Sequence, residues 1–278
     1  MLIDTHCHLD AAEFGADQDK LLHAAHLAGV TRLVVPAVER AGFAGVRTLC
    51  ERYPACSPAY GIHPMYVPQA HKDDLIVLRD YLRDGQPVAI GEIGLDFYIE
   101  HYDHAQQEYF FVEQLKLARE FDLPVLLHIR RAQDTVLKHL RRFYGSNNAP
   151  SNRLRAGIAH AFSGSRQQAD EFIKLGFSLG FGGAMTYPRA TRLRELAATL
   201  PLSSIVLETD APDMPPAFIE RGSPNKPEYL QRIAETLAEL RGISAEEIAQ
   251  ATTENALAVL PKLNIPTVTL PSEQTPSA

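Results

Sequence analysis

Short apolar runs alternate with longer amphipathic stretches along almost the whole chain. The runs read as buried strands near residues 2–8, 32–36, 57–64, 86–92, 124–128, 156–160, 177–183 and 204–210. They are short, continuous and rich in Val, Ile and Leu, as strands buried on both faces are. The stretches between them repeat their apolar residues at helical spacing near 17–28, 40–53, 73–83, 104–121, 132–142, 166–175 and 189–200, with two more near 226–241 and 245–257. Within 104–121, Phe111, Leu115 and Ala118 form a packing stripe. Gly29 is placed to end the first helix, and Ser244 with Glu247 three residues later forms a capping-box signature for the last. A Gly-Ser-Asn-Asn-Ala-Pro loop is expected at 145–150.

Eight strands alternating with helices predict an α/β fold, a single (β/α)8 TIM barrel over residues 1–262. From Pro261 on, Pro, Thr, Ser and Gln dominate, so 263–278 are expected to form a flexible tail. A doubly wound open sheet is disfavoured. No glycine-rich phosphate fingerprint follows any strand, and Gly180-Phe-Gly-Gly183 has the wrong spacing for one.

Composition narrows the partners. The chain has 278 residues, 45% hydrophobic, with a net charge of −7. A protein that grips duplex nucleic acid by overall charge is usually basic, so any such grip here must be local or carried by a metal. No apolar run approaches the ~20 residues of a membrane span, and neither a charged n-region nor an apolar h-region opens the chain, so no signal peptide is expected. Cys7, Cys50 and Cys56 lack metal-type spacing and read as free thiols of a reducing, cytoplasmic compartment. The stretch from His128 to Arg166 is the basic region, with Asp134 its single acid; a solvated helix face explains it as simply as a steering patch does. No repeated apolar surface stripe stands out, which suggests a monomer.

In such a barrel the working residues sit at the C-terminal ends of the strands. The polar residues read there are His6 and His8 on strand one, His63 on three, Glu92 on four, His128 on five, His160 on six and Asp210 on eight. Alternation along a strand would point Asp4, His6 and His8 to one face and Cys7 to the other. So many imidazoles and carboxylates converging on one mouth are costly to bury unless a cation compensates them. The donors are nitrogen and oxygen without thiolate, which suits zinc first, and magnesium or manganese after it. They suit two divalent metal ions sharing a carboxylate, with Glu92 as the bridge, His6, His8 and Asp210 completing one ion and His128 and His160 the other. A carboxylated lysine bridge is excluded, because no lysine occurs between Lys72 and Lys116.

These residues lie in stretches that resemble the TatD family of metal-dependent deoxyribonucleases: Ile3-Asp-Thr-His-Cys-His-Leu-Asp10, Gly61-Ile-His-Pro64, Gly91-Glu-Ile-Gly-Leu-Asp-Phe-Tyr98, Pro124-Val-Leu-Leu-His-Ile-Arg130, His160-Ala-Phe-Ser-Gly164 and Leu207-Glu-Thr-Asp-Ala-Pro212. Asn225-Lys-Pro227 and Asn255 also fit; Ile129, where many members carry a small residue, departs. The resemblance implies His6, His8, Glu92, His128, His160 and Asp210 as metal ligands and Asp210, with Glu92, as the catalytic pair, Asp210 taking the proton of the attacking water. It implies a 3′→5′ exonuclease acting on DNA, with some activity on RNA. His63, Arg130 and Ser163 are candidates for gripping phosphate, and Glu208 for buttressing Asp210. The same ligands would serve an amidase, a lactonase or an aminoacyl-ester deacylase, which is the alternative reading.

Overall fold

A computed structural model describes residues 1–144 and 156–263. The expected 145–150 loop, Arg153, Arg155 and the tail from 264 on lie outside the described residues. The strands are β1 (Leu2–Asp4), β2 (Val30–Pro36), β3 (Cys56–Tyr60), β4 (Ala89–Asp96), β5 (Val125–Arg130), β6 (Ile158–Ala159), β7 (Ser178–Phe181) and β8 (Ile205–Leu207). They form one parallel sheet in the order of the chain, β1 to β8. The helices are α1 (Gln18–Leu27), α2 (Phe43–Arg52), α3 (Asp74–Asp84), α4 (His104–Glu120), α5 (Gln133–Tyr144), α6 (Arg166–Lys174), α7 (Thr191–Thr199), α8 (Leu230–Arg241) and α9 (Ala245–Val259). The expected (β/α)8 barrel is the observed architecture, and the Ser244–Glu247 capping box is formed. No described helix is long and apolar enough to cross a membrane.

Ile3, Val34, Ala59, Leu126, Ile158 and Val206, from six different strands, pack together with Leu260 and Leu263, which follow α9. Residues of six strands meet in this way only when they point into the barrel, so this cluster fills its interior. Two positions above Leu126, Ile158 and Val206 stand His128, His160 and Glu208, which alternation aims at the mouth.

Strand ends differ from the sequence expectation in an informative way. β1, β3, β6 and β8 stop short of His6, His63, His160 and Asp210. Between β8 and β1 the ring is stitched by bonds at the mouth. Thr5 N donates to Leu207 O (3.1 Å), Asp210 N to His6 O (2.8 Å) and His8 N to Ala211 O (2.8 Å). These bonds, rather than strand alternation, bring His6, His8 and Asp210 together. Asp4 is buried beneath them. Its carboxylate accepts from Thr209 Oγ1 (2.6 Å), Thr209 N (3.0 Å) and His6 N (3.2 Å), tying the two chain segments at one point.

β4 runs further than expected, and its pairing with β5 shifts register between Ile90 and Ile93. The shift flips the alternation, as a bulge does. Ala89 packs near the interior cluster below it, whereas Glu92 and Asp96 both reach His128 above it. Gly94 makes this possible. Its φ is +152°, and a Cβ there would lie 1.9 Å from the His128 carbonyl oxygen. Gly94→Ala is therefore expected to push β4 off β5 and to cost about 1–3 kcal/mol, read as a lower urea midpoint at unchanged slope; an unaltered midpoint would refute this close-approach role.

Candidate active site

The mouth holds a cavity of about 850 Å³ lined by His8, His63, Glu92, His128, His160 and Asp210 among others. Glu92 sits at its floor, and its two oxygens face different nests of imidazoles. Oε2 lies 3.2 Å from His6 Nε2 and 3.7 Å from His8 Nε2. Oε1 lies 3.1 Å from His128 Nδ1 and 3.7 Å from His63 Nε2. Asp210 closes the other side, with Oδ1 3.5 Å from both His8 Nε2 and His160 Nε2 and 3.8 Å from His6 Nε2. The donor atoms fall into three compact groups: His6, His8 and Glu92; His6, His160 and Asp210; His63, Glu92 and His128. His160 thus stands with His6 and Asp210, its ring stacked 3.6 Å from that of His6, and not with His128 as the sequence reading paired it.

Which nitrogen of each ring can bind a cation follows from what holds the other one. His128 Nε2 faces the Asp96 carboxylate at 3.0 Å, so its proton belongs there and Nδ1 is turned into the site. His160 Nδ1 faces Glu208 Oε1 at 3.0 Å, which leaves Nε2 toward Asp210. Glu208 is itself fixed by the Ala161 amide (2.6 Å) and fits only because Gly180 carries no side chain, since a Cβ there would lie 2.2 Å from Glu208 Oε2. Glu208 therefore buttresses His160, where the sequence suggested Asp210. His63 is arranged the opposite way. Its Nδ1 accepts from Met65 N (3.1 Å), so the neutral ring carries its proton on Nε2 and presents a donor, not a lone pair, to the cavity.

Charge follows the same geometry. Burial would raise the Glu92 carboxyl, but the His6 and His63 imidazoles hold it well below the ordinary carboxylate range. Burial likewise works against ionised Asp210, and His160 outweighs it, so Asp210 is lowered. Burial lowers His6, with help from His160, and takes His63 down to about 3. His128, although buried, is held up at about 8 by Asp96 and Glu92, and His160 is raised well above its usual value by Glu208 and Asp210. Beneath them, burial pushes the Asp4 carboxyl up to about 7.

The nitrogen and oxygen donors of His6, His8, Glu92, His128, His160 and Asp210 fit divalent metal ions, and the buried His6 Nδ1 with no partner marks a ring placed for its Nε2. Ligation requires neutral rings. At pH 7 His128, at about 8, is mostly protonated, and so is His160, so zinc uptake should release protons. As pH rises through 8 the release should fall and the affinity should rise. Titration calorimetry in two buffers of different ionisation heat measures this; a heat independent of buffer at pH 7 would contradict it.

Among the rim candidates, Arg130 is exposed, lines the cavity and stacks on Tyr98, its Cζ 3.7 Å from the ring centroid. Ser163 is exposed at the rim, and its carbonyl accepts from Arg192 (3.0 Å). Asp96 and Thr209 were not singled out by sequence as site residues. For Asp96 the signal was present, since Glu92, Gly94 and Asp96 alternate along one extended strand.

Three similarities bear on the site. The family described as TatD related DNase matches residues 3–261. The Escherichia coli K12 protein YjjV, described as an uncharacterized metal-dependent hydrolase, is 44% identical over 255 residues, 91% of this chain and 95% of that one. Its crystal structure, described as that of a TatD homolog, superposes with a TM-score of 0.88 at 42% identity, covering 95% and 98% of the two chains. An Erwinia tasmaniensis protein described as the 3′-5′ ssDNA/RNA exonuclease TatD is 32% identical over 260 residues, 92% of this chain and 98% of that one.

Proposed function

Because this chain belongs to the TatD-related DNase family, we propose that it is a metal-dependent hydrolase of phosphodiester bonds that removes nucleotides from the 3′ end of single-stranded DNA, and of RNA to a lesser degree. The observation that carries the reading is Glu92, whose two oxygens face two separate imidazole nests, the arrangement a carboxylate shared by two metal ions requires. His6, His8, Glu92, His128, His160 and Asp210 would hold the ions, with the His6, His8, His160 and Asp210 donors on one side of Glu92 and His128 on the other. When bound, such ions supply the Lewis acidity that makes a water nucleophilic near neutral pH and offsets charge at the reacting phosphoryl oxygens.

The chain's own groups supply the rest. Asp210, ionised because His160 lowers it, accepts the proton of the attacking water at a carboxylate oxygen. Asp96 bonds His128 Nε2 and so fixes that ring in one tautomer, and the Glu208 carboxylate, 3.0 Å from His160 Nδ1, directs the other ring's Nε2 toward Asp210. His63 offers Nε2–H to a phosphoryl oxygen, and burial keeps the ring neutral, so it remains a donor with one fixed direction. Arg130, braced on Tyr98, presents a planar guanidinium for bidentate contact with phosphate, and Ser163 adds a hydroxyl.

The test is digestion of a single-stranded oligonucleotide labelled at its 5′ end by the zinc-replete protein. A ladder of shortening labelled products is expected, abolished by EDTA. An intact oligonucleotide together with metal-dependent cleavage of an ester or amide substrate would overturn the phosphodiesterase reading in favour of carbonyl hydrolysis.

A further inference from the structure

The two sides of the mouth carry opposite charge. On the side formed by the extensions of β1 and β8, Asp10, Glu13 and Asp213 are exposed and line the cavity. Together with Glu39 and burial they push up the phenol of Tyr66, which also lines the cavity. On the side formed by the loops after β5, β6 and β7 the charge is positive. Arg130 lines the cavity there, and Arg131 lies near it over the same Tyr98 ring.

Next to the cavity is a second depression of about 340 Å³, which shares Ser163 and Leu193 with it and is also lined by Arg189 and Arg192. Both arginines are exposed. Arg192 donates to the Ser163 carbonyl and Arg189 lies over the Tyr187 ring, and among the described residues neither has a carboxylate within salt-bridge distance. Arg166 and Arg141 differ in this respect, being paired with Asp170 and Glu171.

We propose that this depression is a backbone subsite for the nucleic-acid strand. The strand leaves the reacting phosphate over Ser163 and Leu193, and Arg189 and Arg192 take the phosphates of the next nucleotides. The carboxylates of Asp10, Glu13 and Asp213 repel a polyanion on the opposite side, so only a short, chain-terminal piece fits there. The inference rests on the phosphodiesterase reading and adds to it a direction. It also accounts for how a protein of net charge −7 grips a polyanion: the contact is a local arginine edge, not the whole surface.

The experiment compares the zinc-replete protein with the Arg189→Glu, Arg192→Glu double variant on two substrates, a single-stranded oligonucleotide of about 12 nucleotides and bis(p-nitrophenyl) phosphate, which is too short to reach the depression. The expected result is a KM for the oligonucleotide raised by about tenfold or more and a shallower dependence of kcat/KM on salt, with hydrolysis of bis(p-nitrophenyl) phosphate unchanged. Equal kinetics of variant and parent on the oligonucleotide, at equal turnover of the small diester, would overturn the subsite and leave the phosphodiesterase reading standing. Failure of the parent protein to hydrolyse either substrate would overturn both.

Discussion

Glu92→Gln is expected to remove metal binding and activity together. In the parent protein one carboxylate oxygen serves the His6 and His8 nitrogens and the other the His128 nitrogen. An amide keeps one acceptor oxygen and turns an NH2 toward the other nest, so one of the two sites loses the Glu92 oxygen and both lose its negative charge. Substitutions that merely orient a ligand lower metal affinity or activity by about 10–100-fold; loss of a shared ligand should exceed about 100-fold in kcat/KM. Zinc content, read by plasma mass spectrometry after gel filtration, should fall from about two ions per chain to one or fewer. Unchanged zinc content in the variant would mean that Glu92 bridges nothing.

Asp210→Asn separates proton transfer from ligation. The amide oxygen can still reach toward His8 and His160, where Oδ1 of Asp210 lies at 3.5 Å from each. It cannot take a proton near neutral pH. The expected outcome is a kcat lower by about 10²–10⁴-fold, with KM and zinc content changed far less. Stopped assays on bis(p-nitrophenyl) phosphate alongside metal analysis measure the split. A variant that retains parental kcat would remove Asp210 from the role of base.

The sequence made the barrel legible because its strands are buried on both faces and its helices are amphipathic, so both periods stand out. It made the cluster legible because imidazoles and carboxylates recur at the ends of those runs. What it missed arises from bonds between segments distant in the chain. His6 and His8 follow a strand that ends at Asp4, and Asp210 follows one that ends at Leu207; hydrogen bonds between β8 and β1, not alternation, set their directions. Asp4 appeared as a companion of the histidines, yet it binds Thr209, 205 positions away. Asp96 was missed because the fourth strand was expected to end at Glu92, whereas β4 runs on to Asp96 and carries it on the same face. His63 reads in the sequence as a phosphate contact and not as a ligand, but the physical reason, the Met65 amide against its Nδ1 that leaves Nε2–H as a donor, lies in the structure alone. The basic stretch from His128 to Arg166 divides in the structure: Arg141 and Arg166 pair with carboxylates on α6, and Arg130 lines the mouth.

Hydrolysis is proposed to depend on two metal ions held on either side of Glu92. Stepwise return of zinc to EDTA-stripped protein, with bis(p-nitrophenyl) phosphate turnover followed at each step, tests it most directly. Negligible turnover is expected without metal, with a rise that is completed only as the second equivalent binds. Full turnover in the stripped protein, or full recovery at one equivalent, would contradict it.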